Sequence, residues 1–119
     1  MTGAPDAGPP DAGPPASLFE RLLLLSREAH GLGQHEAAYH ALTAAMHAAV
    51  DARDARALAE VGREAAAQIA WIDRHARSHR LSTASAAGHQ HPGVYAMLAR
   101  QVTAHTHMLD APPGRPGAR

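Results

Sequence analysis

Four stretches of the chain repeat their apolar positions every three and four residues, the period of a helix that buries one face. The first predicted helix starts at Ser17, an N-cap with Glu20 three residues on as capping-box partner, and runs to about His30. Leu18, Leu22, Leu25, Ser26 and Ala29 form its stripe. Leu22 to Leu25 are consecutive, however, and Leu24 points away from Leu22, so this helix is apolar nearly all round and calls for cover on a second side. The second helix, about 34 to 50, carries Ala38, Ala41, Leu42, Ala45, Met46 and Ala49 on one face, with Glu36, His40, Thr43 and His47 opposite. Asp54 reads as the N-cap of a third helix reaching about Arg77, with Leu58, Val61, Ala65, Ile69 and Ile72 inward. At 1.5 Å per residue it spans ~36 Å against ~26 Å for the second, so its last turns overhang the hairpin. Residues 81–91 lose all periodicity and read as a connecting loop with a short helical turn near Thr83 to Ala87. A fourth helix then starts at Pro92 and buries Val94, Met97, Leu98, Val102 and Leu109.

Small residues mark where the first two helices meet. Gly33 stands at the turn, where positive φ carries no Cβ penalty, and the alanine stripe of the second helix permits close approach. Leu22, Leu25, Ser26, Ala29, Gly33, Ala38 and Ala45 together make residues 19–52 resemble one tetratricopeptide repeat. Two features depart from that pattern: leucine and alanine replace the aromatics of the first helix, and Asp51 to Asp54 replace the closing proline. The resemblance implies a helical hairpin offering a groove to a peptide or partner protein. A lone repeat does not bury its own face, so something else must cover it.

Composition narrows the class. Among 119 residues 45% are hydrophobic but only one Trp, two Tyr and one Phe occur, so the core is built from alanine and leucine, which favours helices over sheets. Eleven arginines balance eleven acidic residues, and a net charge of zero gives no whole-chain field for nucleic acid or membrane. The absence of cysteine excludes disulfides, thiolate metal sites and thiol nucleophiles. Residues 1–16 repeat Pro-Asp-Ala-Gly-Pro and residues 110–119 return to proline and glycine, so both read as disordered tails around a folded part at 17–109. The first tail has neither the basic nor the apolar region of a signal peptide, and no window approaches the ~20 apolar residues of a membrane span. The expectation is a cytoplasmic protein.

The histidines and arginines supply the candidate chemistry. Among ten histidines, His75 and His79 stand at i and i+4, a spacing that lets two imidazoles share one zinc or other transition metal. His89 and His91 in the following loop are further candidate ligands. His35-Glu36 with His40 misses the zinc-protease spacing by one residue, which makes the rings diverge. Arg74, Arg77 and Arg80 crowd the end of the third helix beside Trp71. They complement its dipole and form a weak candidate nucleic-acid contact, without the wide basic stripe or interleaved aromatics such surfaces carry. Gln68, His75, His79, Gln101 and His105 lie on or beside inward stripes and could join in a buried polar cluster. Ser82 and Ser85 lie near histidines but lack any nucleophile motif.

An all-α, small four-helix bundle with a tetratricopeptide-like N-terminal hairpin follows. An alanine-rich core in a chain that hides only ~65% of its unfolded surface calls for help from a twofold partner. The expected function is a non-catalytic protein-interaction or scaffold module that forms a homodimer, with no resident cofactor. Its expected partner contacts are Leu23, Leu24, Trp71, Arg74, Arg77 and Arg80. The alternatives are a histidine-based metal binder and a weak nucleic-acid binder through the arginines.

Overall fold

A computed structural model describes residues 16–110, so the tails read from the sequence lie outside the described residues except at their inner ends, Ala16 and Asp110. The described chain is an all-α bundle of four long helices and one short one: α1 Leu18–Gly31, α2 His35–Asp51, α3 Ala55–His75, α4 Thr83–Gly88 and α5 Val94–Asp110. α1 and α2 form a closely packed antiparallel hairpin, α3 lies against α2, and α5 lies against α3. None of the described helices is long and apolar enough to cross a membrane.

α1, α3 and α4 start where a side-chain cap sits. Ser17 Oγ accepts from the Glu20 N–H at 3.1 Å, while the Glu20 carboxylate accepts from the Ser17 N–H at 3.0 Å, a complete capping box. Asp54 Oδ1 accepts from the Ala57 N–H at 3.0 Å to open α3. Asp54→Ala is therefore expected to cost about 1 kcal/mol in urea unfolding, the usual loss for an acidic N-cap. The two turns that flank α2 close in the same way. The Gln34 N–H reaches Ala29 O at 2.9 Å, and the Asp54 N–H reaches Ala49 O at 3.0 Å. Gly33 takes φ +78 in the first turn, and Arg53 holds the same left-handed region, φ 53, in the second. α5 starts at Val94 rather than at Pro92, because Gly93 adopts φ +95 and cannot be helical; its carbonyl instead accepts the first bond of α5, from Met97.

The core is a continuous cluster that includes Leu23, Leu42, Met46, Leu58, Val61, Ile72, Leu81, Tyr95, Leu98 and Val102. α1 is rotated from the stripe read in the sequence. Leu23 and Ser26 are its buried positions, and Phe19 and Leu22 pack at the margin. Leu18 and Leu25 face outward. A close contact with α2 goes with this rotation: Ser26 Oγ donates to Ala38 O at 2.7 Å, which only a small residue allows. Leu23, expected at a partner contact, is 5% exposed and belongs to the core of this chain. A similar small rotation in α5 buries Tyr95 and leaves Met97 exposed.

Candidate functional site

Two features beyond ordinary core packing mark the bundle. One is an aromatic and histidine cluster at the overhanging end of α3, and the other is the outer face of α1.

The cluster is assembled by the α1–α2 turn. His30, in the last turn of α1, and His35, the first residue of α2, come together across Gly33 with their Nδ1 atoms 3.2 Å apart. One of these nitrogens donates and the other accepts, so the bond needs at least one neutral ring. Trp71 of α3 meets both rings, with centroids 5.3 Å from His30 and 5.5 Å from His35. His79, in the turn after α3, stands edge-on to His35 at 5.0 Å. His75 stacks on the outer side of Trp71 at 4.7 Å. The overhang of α3 is thus covered by the hairpin's turn and by its own following loop.

Burial pushes the His30 imidazole below its ordinary value, against the opposing pull of the Glu64 carboxylate. His35 is also held low, first by burial and then by the positive charges that His30 and His79 would carry. Its place at the N-terminus of α2 acts in the same direction. The sign follows directly: the unfolded chain binds protons on these rings more readily than the folded one. Their contribution to stability is fully present above the ordinary histidine value of about 6.5 and declines as pH falls below it. Urea titrations of chelator-dialysed protein are expected to show the unfolding midpoint dropping as pH falls below about 6.5. In His35→Gln that acid-side slope is expected to be shallower.

The histidines singled out in the sequence do not meet at one point. His75 donates Nδ1–H to Trp71 O at 3.2 Å, and His79 Nδ1 accepts the Leu81 N–H at 3.0 Å. His89 donates to Ser85 O at 3.0 Å, and His91 accepts the Gly93 N–H at 2.9 Å. His89 and His91 line a separate depression with Arg80 and Val94. Among the described residues no three histidines or carboxylates converge on one ion position. Sequence reasoning missed His30 and His35 as a pair. The only available signal was that they flank the turn glycine closely enough for a hairpin to bring them face to face.

Arg80 pairs with Glu36, while Arg74 and Arg77 are exposed. The loop after α3 is tied down: Asp73 accepts from the Thr83 N–H at 2.8 Å and from its hydroxyl at 2.7 Å. Ser82 donates to Arg77 O at 2.6 Å and accepts the Ser85 N–H at 3.0 Å as N-cap of α4, so its hydroxyl is committed to structure.

The buried polar cluster has one of the expected members. Gln68 is buried and donates to Ser26 Oγ at 2.9 Å and to Glu64 at 3.0 Å, while accepting from the Tyr95 hydroxyl at 2.6 Å. Burial, with the nearby Glu64 and Tyr39 charges, raises the Tyr95 phenol, which keeps that donor protonated. Gln101 and His75 are exposed, and His105 and His79 are half-buried away from this network.

The second feature is the outer face of α1. Leu18, Leu24, Leu25 and Leu32 are 56, 57, 53 and 66% exposed, on the side of the helix that faces away from Leu23 and Ser26. Trp71, Met97 and Met108 are the other large apolar side chains exposed among the described residues.

No family model matches the chain, and no curated protein or solved structure was found to match it. The functional reading rests on the geometry above.

Proposed function

We propose that this chain is a small non-catalytic interaction module that self-associates. The observation that carries this reading is the outward leucine face of α1. A helix with apolar residues on two sides buries one in its own core and leaves the other for a neighbour. The close Ser26–Ala38 crossing and the tight turn at Gly33 support reading α1 and α2 as a tetratricopeptide-like hairpin, a unit whose exposed faces ordinarily serve contact rather than chemistry. Leu24 and Trp71 are exposed and remain accessible contacts, as do the exposed Arg74 and Arg77.

A transition-metal reading is favoured by one observation. The 3.2 Å between His30 Nδ1 and His35 Nδ1 is close to the ~3.3 Å that two ligands keep on one tetrahedral zinc. Native mass spectrometry of protein purified without chelators tests both readings in one spectrum. Twice the chain mass without adduct supports self-association. A zinc or copper adduct at whole-number stoichiometry that disappears in His35→Gln supports the metal reading.

A further inference from the structure

The exposed face of α1 is nearly symmetric under reversal. Placing residues 100° apart around the axis puts Leu18, Arg21, Leu24, Leu25, Glu28 and Leu32 within an arc of about 120°. Ser26 and Leu23 lie on the opposite side, in the core. All six residues of the arc are exposed, and neither Arg21 nor Glu28 has an ion-pair partner among the described residues.

Along the axis, Leu24 and Leu25 mark the midpoint. At 1.5 Å per residue Arg21 lies about 5 Å to one side of it and Glu28 about 5 Å to the other. Leu18 and Leu32 lie roughly 10–11 Å out at the two ends. Reversing the helix therefore exchanges leucine for leucine and arginine for glutamate. A twofold axis does this: residue i of one copy meets residue j of the other, and j meets i.

We infer that α1 packs antiparallel against α1 of a second copy of this chain, with Leu24 and Leu25 at the twofold axis and Arg21 of each copy paired with Glu28 of the other. This rests on the self-association reading above and supplies its geometry. A parallel arrangement would set arginine on arginine and glutamate on glutamate, so the charge pattern selects the antiparallel one. A single stripe about 20 Å long lies at or below the low end of stable interfaces, which places the dissociation constant in the micromolar range, about 1–100 μM.

The test is sedimentation equilibrium and native mass spectrometry of the full chain from about 1 to 200 μM, the range set by that expected affinity. Arg21→Glu and Glu28→Arg are each expected to weaken self-association at least ~10-fold, because each places two like-charge pairs across the axis. Mixing the two variants restores both opposite-charge pairs. The equimolar mixture is therefore expected to recover dimer with one copy of each variant, a species their different masses identify. Recovery on mixing also shows that both variants are folded, and matching helical circular dichroism checks each one alone. A wild-type dimer that survives either reversal overturns the α1 pairing and places self-association on another face, and a mixture that stays monomeric overturns the Arg21–Glu28 pairing. Wild-type protein that remains at 12.5 kDa across the range overturns both.

Discussion

Replacing Gln68 with alanine is expected to lower the free energy of unfolding by about 3–5 kcal/mol, read as a lower midpoint in urea at unchanged slope. Two losses add. The first is volume: Gln68 is among the largest fully buried side chains, and the residues around it come from three helices that cannot all collapse into the space. The second is hydrogen bonding. Gln68 satisfies Tyr95, Ser26 and Glu64 together, and its removal leaves the Tyr95 hydroxyl, 2.6 Å away and buried, without an acceptor. A domain of this size has only ~5–15 kcal/mol in total, so the variant is expected to lose a large fraction of its stability. Gln68→Met separates the two losses. It keeps most of the volume and removes the bonds, so a cost of about 2–3 kcal/mol isolates the polar share.

The second large effect is expected at Ser26→Leu, about 3–5 kcal/mol, by overpacking with loss of partners. Ser26 is fully buried, and its hydroxyl lies 2.7 Å from the Ala38 carbonyl on the facing helix. A leucine there must push α1 off α2 and leaves both Ala38 O and the Gln68 amide short of a partner. Ser26→Ala keeps the close approach and removes only the hydroxyl, so its expected cost is about 1–2 kcal/mol. Urea unfolding of the pair therefore reads how much of the hairpin's stability depends on the distance between the helices. If the two variants cost the same, close approach is not what Ser26 provides.

The helix boundaries were legible because they are written in local chemistry. Ser17 with Glu20, Gly33 and Asp54 stand where short-range hydrogen bonding and backbone sterics alone decide the outcome. Rotation about the helix axis was not legible in α1. With leucine at positions 22 through 25 the apolar pattern allows several inward faces, and the choice among them falls to Ser26, whose fit depends on Ala38 twelve residues away. The rotation of α5 was hidden for a related reason: Tyr95 turns inward to Gln68, a partner 27 residues distant. At the candidate site the spacing rule picked His75 and His79, which share one stretch of chain. It passed over His30 and His35, whose meeting is made by a turn rather than by a helical period. Trp71 and Leu24 were legible as exposed apolar side chains, whereas Leu23 was not separable from Leu24 without the rotation.

The Gln68 network also bears on how long a folded molecule lasts. The Ser26–Ala38 bond joins neighbours in the hairpin, which can form while the rest of the chain is still searching. The bonds from Gln68 span 42 residues to Ser26 and 27 to Tyr95, so all three helices must already be in place before it can close. An interaction completed that late does little to speed folding, and its weight falls on the barrier to opening. Loss of Gln68 is therefore expected to shorten the lifetime of the folded bundle more than it slows its formation.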